Sequence, residues 1–425
     1  MSTIILFFGL ILLLLIGVPI AISLGFSSMI YTWVHTDDPI IIIAQKLFDT
    51  MEHTTLLAIP FFILSSHFLT TGGVSQRLIE FAKAMVGWMN GGLAIAGVVA
   101  CLLFAAISGS SPATVVAIGS IMIPGMIQAG YSKEFAVGVI ATSGSLGILI
   151  PPSIPMIVYA DAVEESVGKM FIAGILPGLL MGSFLVFATW FAARKMDMPR
   201  EPFKGFGHLF KTFRDAFWGL MLIFIVVGGI YGGVFTPTEA AAVAAVYSAF
   251  IALFIHHDMK IPDVPKVLLD SAKMTSVLLF IIACAMIFAH VLTEEQIPQN
   301  LAQMVMDENP STWMFLLMVN VILWFAGDFM EPSAILLILA PLFHPIALNL
   351  GVDPIHLGII MTTNMEVGMI TPPVGLNLYV AAGLSGMSLG AVTKAALPWM
   401  GVLIAALIVI TYVPWLSLVL VDMLF

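Results

Sequence analysis

Two stretches, GILIPPS at 147–153 and GMITPPV at 368–374, place the pattern G-x-x-x-P-P inside apolar runs. Proline has no N–H to donate, and its ring crowds the carbonyl four residues back. Pro151 and Pro152 should therefore free the carbonyls of Gly147 and Ile148, and Pro372 and Pro373 those of Gly368 and Met369. An unpaired carbonyl in hydrocarbon is costly unless something binds it. A sodium ion suits such a site, because a hard cation takes oxygen ligands. A packing kink re-satisfied by Ser, Thr or water is the plainer alternative.

Two further breaks are polar: ISGSSPAT at 107–114 and AGDFMEPSA at 326–334. Ser108, Gly109, Ser110, Ser111 and Thr114 cluster at the first, and Gly327, Asp328 and Ser333 at the second. Hydroxyls at such a break can cap the half-helix that follows. An exposed half-helix N-terminus also attracts a carboxylate, while neighbouring oxygens take a cation. The residues assigned to sodium are Ser108, Ser110, Gly147, Ile148, Gly327, Asp328, Gly368, Met369 and Thr371. Those assigned to an organic anion are Ser111, Thr114, Thr142, Ser143, Ser333, Asn364 and Asn377, with Thr363 completing the polar wall.

Three carboxylates fall in the same segments: Asp328, Glu331 and Glu366. No Lys or Arg sits at the centre of an apolar run to pair with them, and intramembrane acids are expensive. Coordinating a cation, accepting backbone N–H bonds or carrying a proton all remain open. Asp328 is the carboxylate expected to influence the ion or substrate site most.

These residues must be held by membrane-spanning elements. Of 425 residues, 60% are hydrophobic and 9% charged, against about a quarter charged in soluble domains. That excludes a soluble enzyme, a nucleic-acid binder and a disordered chain, and points to an all-α polytopic membrane protein. A crossing takes roughly 20 apolar residues. Nine stretches qualify: 4–31, 54–71, 133–160, 167–194, 215–235, 236–257, 273–293, 356–382 and 396–420. The pairs 91–108 with 112–129 and 312–327 with 332–349 are each split by a polar break, and read as re-entrant hairpins. With both hairpins returning to their own side, thirteen basic residues fall on one face and only Lys46 and Lys169 on the other. The positive-inside bias then puts the N-terminus and the 195–214 loop in the cytoplasm and the C-terminus outside.

A shift of 221 positions lays 121–160 over 342–381 without a gap, matching Pro124 to Pro345, Gly147 to Gly368 and Pro151–Pro152 to Pro372–Pro373. The domain reading follows. A first inverted repeat spans 1–214 (hairpin 91–129, broken helix 133–160), 215–235 connects, and a second repeat spans 236–425 (hairpin 312–349, broken helix 356–382). Inverted repeats with discontinuous helices are the architecture of secondary transporters.

Other features read as structural. In TPTEAAA (236–242), Thr236, Pro237 and Glu239 form a capping box. GMSLG (386–390) matches a nucleophile motif without its strand or partner His, and no P-loop or HExxH occurs. Cys101 and Cys284 lie in apolar runs as packing residues. The amphipathic stretches 39–51, 77–88, 260–272 and 297–309 suit arms along the membrane interface. The 4–31 run is about twice a signal-peptide core and lacks a basic start, so it reads as a retained span.

FAAISGSSPATVVAIGSIMIPGM, GILIPPSIPMIVYA, TPTEAAAVAAVY and GMITPPVGLNLYVAAG together resemble the large membrane subunit of TRAP (tripartite ATP-independent periplasmic) transporters, over essentially the whole chain. The resemblance implies a bacterial inner-membrane importer of organic anions such as C4-dicarboxylates or sialic acid, usually coupled to sodium. It implies an elevator-type mechanism, a small four-helix membrane subunit and a periplasmic substrate-binding protein as partners. It also places Ser108 and the Gly147 and Gly368 loops where sodium and substrate are expected. The acidic second tip, with Asp328 and Glu331, departs from the family pattern. The chain is accordingly expected to be a transporter subunit and not an enzyme; a stand-alone sodium/anion symporter needing no binding protein is the runner-up.

Overall fold

In a computed structural model of the chain, the described residues are 2–35, 39, 41–196, 198, 200, 202–308, 310–372 and 375–425. Among them every regular element is helical. The first hairpin is Gly92–Ser108 followed by Ser111–Gln128, and the second is Thr312–Gly327 followed by Pro332–Asn349. The turns fall where Ser, Gly, Asp and Pro interrupt the apolar pattern.

Each hairpin leads into a broken helix. The first runs from Lys133–Ser143 through a tight 3-10 turn, Gly144–Ile148, and an irregular stretch to Ile154–Ala162. The second separates Pro354–Gly368 from Leu376–Ser385. Its expected breakers include Pro373, which with Val374 lies outside the described residues. Continuous spans frame these parts: Val167–Lys195, Phe206–Tyr231, Pro237–Ile255, Ile261–Glu294 and Leu389–Tyr412.

The 221-residue offset reappears in the helix ends. Ser111 and Gln128 shift onto 332 and 349, the two ends of Pro332–Asn349, and Lys133 shifts onto the start of Pro354–Gly368. Both halves thus use one order of hairpin, broken helix and long span.

Four expected segments fold differently. The 4–31 stretch is two helices, Ser2–Leu15 and Ile20–His35, separated at Gly17–Val18–Pro19. Proline and the restriction it imposes on the residue before it end the first helix. The pair folds back on itself, so a Cβ on Gly9 would lie 3.9 Å from that of Ser27. Ser2 and His35 are therefore at the same end, and the expected single crossing is replaced by a fold-back. The 54–71 span is shorter, Ala58–Thr71, and bends by 68° into the arm Val74–Val86. The expected arm at 260–272 is continuous with the next span, Val264–Glu294. Pro265 sits harmlessly in its first turn and neither Pro nor Gly follows, whereas Pro60 in the first turn of Ala58–Thr71 keeps the arm Ile41–Glu52 separate. Finally, 396–420 is interrupted at Val413–Pro414.

Lipid supplies no hydrophobic drive between helices, so small residues set the close contacts. A Cβ on Gly138 would strike the Ala395 carbonyl, and one on Gly358 the Tyr159 ring. Each broken helix is thereby locked against the other half of the chain, and the Tyr159 hydroxyl adds a 2.6 Å bond to the Pro354 carbonyl. Cys101 and Cys284 are buried free thiols in this packing. Phe187, Phe224 and Phe325 remain exposed on the outside, as lipid-facing residues should.

Candidate functional site

The first tip is built by Gly109. It closes Gly92–Ser108 at φ 62°, a left-handed conformation only glycine adopts cheaply. A Cβ there would also sit 2.7 Å from the Pro152 carbonyl oxygen, so the tip lies directly on the first broken helix. Ser108 Oγ and Thr114 Oγ1 are 2.9 Å apart, and both hydroxyls reach the Ser110 carbonyl, at 3.3 and 2.9 Å. Ser111 donates its hydroxyl proton to the carbonyls of Ser145 and Gly144, at 2.7 and 3.1 Å. Gly147 completes the approach, its absent Cβ leaving room for the Ser110 carbonyl.

The second tip repeats the arrangement with different chemistry. Gly327 lies against Gly368 so closely that a Cβ on Gly368 would be 2.8 Å from the Gly327 Cα. Glu331 caps the second half-helix by accepting the Ala334 N–H at 3.2 Å and the Ser333 hydroxyl at 3.0 Å. At the first tip no side chain caps Ser111–Gln128. One half-helix N-terminus is thus filled by the protein's own carboxylate, and the other is left open to an outside anion.

The proline-freed carbonyls are not all idle. Ile148 accepts the Ser153 hydroxyl, Gly368 accepts the Thr371 N–H at 3.1 Å, and Met369 accepts the Asn377 N–H at 3.0 Å. Serine capping and the tight turn take up what proline releases, so the expected four open carbonyls reduce to one. Among the described residues no hydrogen bond reaches the Gly147 carbonyl. A carbonyl has two lone pairs, so the engaged ones retain one for a cation.

The unpartnered polar atoms lie elsewhere on the broken helices and at the second tip. Thr142 Oγ1, Ser143 Oγ, Asn364 Oδ1, both side-chain polar atoms of Asn377 and Asp328 Oδ1 are buried with no hydrogen-bond partner. Thr363 does not join them, since its hydroxyl turns back 2.6 Å to its own helix at Ile359. Thr371 is similarly occupied, donating to the Val367 carbonyl at 2.7 Å and accepting from Trp324 at 3.3 Å. The two half-sites are joined by packing: Gly144–Ile148 touches Pro354–Gly368, and Leu376–Ser385 packs on Ser111–Gln128.

A polar chain not anticipated from sequence runs outward from this site. Asn364 Nδ2 donates to Asn320 Oδ1 at 2.9 Å, Asn320 Nδ2 to Thr411 Oγ1 at 3.1 Å, and His356 bridges the Thr411 carbonyl and Ser417 Oγ at 3.2 and 3.1 Å. The available signal was Asn320 itself, a lone amide in an apolar stretch.

Among the described residues no three His, Cys, Asp or Glu come together as a metal cluster. The donors here are hydroxyl, amide and carbonyl oxygens, which favour hard cations over transition metals. The hairpin tips and broken helices thus bring unpartnered hydroxyl, amide and carboxyl oxygens to the same elements as a half-helix N-terminus without a side-chain cap.

The family model described as "Tripartite ATP-independent periplasmic transporter, DctM component" matches residues 7–416. The chain is 59% identical over 398 residues to the C4-dicarboxylate TRAP transporter large permease protein DctM of Pseudomonas aeruginosa, covering 94% of this chain and 93% of that one. It is 40% identical over 407 residues to the isethionate TRAP transporter permease protein DctMQ of Oleidesulfovibrio alaskensis, covering 95% of this chain and 64% of that longer one. In fold it is similar to the crystal structure of the YdaH transporter of Alcanivorax borkumensis, with TM-score 0.62, 16% identity and coverage of 97% and 98%.

Proposed function

Because the chain belongs to the tripartite ATP-independent periplasmic transporter family as a DctM component, we propose that it is the large permease subunit of a sodium-coupled importer of organic anions, with C4-dicarboxylates first among them. The observation that carries the reading is the direct seating of each hairpin tip on a broken helix, Ser110 on Gly147 and Gly327 on Gly368, around buried oxygens without partners. Sodium is held at the first tip by Ser108, Ser110 and the Gly147 and Ile148 carbonyls. At the second it is held by Gly327, Asp328, Gly368, Met369 and Thr371. The carboxylate of the cargo sits at the open N-terminus of Ser111–Gln128, near Thr114, Thr142 and Ser143, with Asn364 and Asn377 closing the pocket from the other half. Ser333 and Ser111 support this pocket from behind, since their hydroxyls are held by Glu331 and by the Gly144 and Ser145 carbonyls.

Hairpins and broken helices move together as an elevator against the long spans and arms. The halves 1–214 and 236–425 form the two inverted repeats. A four-helix membrane subunit and a periplasmic binding protein complete the system; the permease protein DctMQ, of which this chain covers 64%, has length for a second membrane part and supports a small subunit acting beside this chain. The protein lies in a bacterial inner membrane with the basic 195–214 loop in the cytoplasm. Phe425 stacks 5.9 Å from Lys169 Nζ, which supports a C-terminus on the opposite, periplasmic side. The cytoplasmic N-terminus expected from the basic residues assumed a single 4–31 crossing; the fold-back of Ser2–Leu15 on Ile20–His35 supports a second reading, with the 16–19 turn cytoplasmic and the start of Ser2–Leu15 on the periplasmic side.

Uptake in proteoliposomes holding this chain, the small subunit and the binding protein tests the proposal. Removing sodium, the small subunit or the binding protein should each abolish uptake, and Ser108→Ala and Asp328→Asn should raise the sodium concentration needed. Uptake by this chain alone, or unaltered sodium dependence in both variants, would overturn it.

A further inference from the structure

Glu366 is a carboxylate that the structure leaves with nothing to hold it. It lies within the helix Pro354–Gly368, is 0% exposed, and neither carboxyl oxygen has a hydrogen-bond partner among the described residues. Of the options its position allowed, acceptance of backbone N–H groups is met at Glu331, through Ala334, and absent at Glu366. One turn earlier on the same face, Thr362 is also fully buried with its hydroxyl unpartnered; residues four apart on a helix are neighbours.

The cationic side chains on the elements packed against this helix are committed or remote. Lys169 lies over the Phe425 ring, Arg194 over Trp190 and Lys195 over Phe191. Lys394 is exposed, and neither it nor the half-buried His344 forms an ion pair with Glu366. His356, on the same helix, is held by Thr411 and Ser417. An ionised carboxylate in such surroundings requires a counter-charge from outside the chain.

The comparison between halves sharpens the point. Under the 221-residue offset Glu366 falls on Ser145. The Ser145 hydroxyl donates to the Thr142 carbonyl at 2.7 Å and its carbonyl accepts from Ser111 at 2.7 Å. The first half is neutral and satisfied where the second carries an unpartnered carboxyl group.

We propose that Glu366 and Thr362 form an additional monovalent-cation site, on the helix just before the Gly368 break, which binds sodium and adds one positive charge to each transport cycle. It rests on the transport reading for its role, while its occupancy can be read on the isolated protein. The carboxylate neutralises the ion in the low-dielectric interior and the hydroxyl supplies a further oxygen. The carbonyls of Met365, Val367, Gly368 and Met369 accept the N–H groups of Met369, Ile370, Thr371 and Asn377, so the side-chain oxygens of Glu366 and Thr362 are the ligands this site depends on.

The test is radioactive-sodium counting in the complete reconstituted system, with sodium-dependent thermal stabilisation of the purified chain. Glu366→Gln should lower the sodium-to-substrate ratio by one and flatten the sodium dependence of stabilisation. Glu366→Asp should keep the ratio at weaker affinity, and Thr362→Val should shift the sodium midpoint several-fold upward. An unchanged ratio and midpoint in Glu366→Gln and Thr362→Val overturns the site. So does a sodium ratio that stays constant while Glu366→Gln removes a pH dependence of uptake, which would make the bound cation a proton. If Glu366→Gln fails to fold, the Thr362→Val and Glu366→Asp midpoints decide. Wild-type uptake indifferent to sodium instead removes the sodium-coupled reading as a whole, a result distinct from any variant-specific loss.

Discussion

Gly368→Ala concentrates the reasoning about the hairpin tips into one methyl group. The added Cβ would lie 2.8 Å from the Gly327 Cα, 3.1 Å from its carbonyl carbon and 3.2 Å from its oxygen, all backbone atoms, whereas ordinary contact begins near 3.4 Å. No flexible side chain can yield, so the second tip itself must retreat by about half an ångström. Overpacking of this kind costs about 1–3 kcal/mol. If the tip stays, the loss appears as lower thermal stability. If it swings away, the strain is released but the proposed cation site opens, which should weaken sodium binding by up to about a hundredfold at roughly 1.4 kcal/mol per factor of ten. Gly383→Ala is the matched control, because Gly383 lies in the other limb of the same broken helix, with nothing within 4 Å of its Cβ position. There alanine should be neutral or stabilise by about 0.5–1 kcal/mol. Thermal unfolding of both variants with and without sodium is the assay. A Gly368→Ala protein as stable as Gly383→Ala, with the same sodium response, would refute tip seating as the source of the site.

Ser111→Ala removes both bonds to the Gly144 and Ser145 carbonyls and should cost about 1–3 kcal/mol in thermal unfolding, with slower uptake. Thr236→Ala removes the capping box, in which the Thr236 N–H donates to Glu239 at 2.8 Å and the Glu239 N–H to Thr236 Oγ1 at 3.3 Å; about 1 kcal/mol of stability should go while sodium affinity stays unchanged. Arg77→Ala breaks the ion pair with Asp258. The pair is partly exposed, so the loss should not exceed about 1 kcal/mol and should shrink further in high salt.

Much of the fold is local and therefore legible. Hairpin ends at Ser108 and Ser111 lie where Gly and Ser–Pro interrupt apolar runs, and the Thr236–Glu239 box is a four-residue pattern. Reading failed where continuity depended on something the pattern does not carry. The apolar run 4–31 is uninterrupted in hydrophobicity, yet Gly17 and Pro19 turn it back on itself. The run 260–293 changes from amphipathic to apolar, yet nothing in its backbone breaks it.

What the sequence alone determined is the solvent and the punctuation. Apolar stretches require a bilayer, and combined runs of Gly, Pro and polar residues such as 107–114 and 147–153 interrupt the helices through effects that act within four residues, whereas lone prolines such as Pro124, Pro177 and Pro398 stay inside theirs. What only the tertiary structure decided is which interruptions stay open. The Met369 carbonyl is closed by the Asn377 N–H and the Ser111 hydroxyl is spent on the first broken helix, while Glu331 caps its own helix and Glu366 meets nothing. A buried polar group finds its partner across the fold, and that geometry is set by packing between segments far apart in the chain.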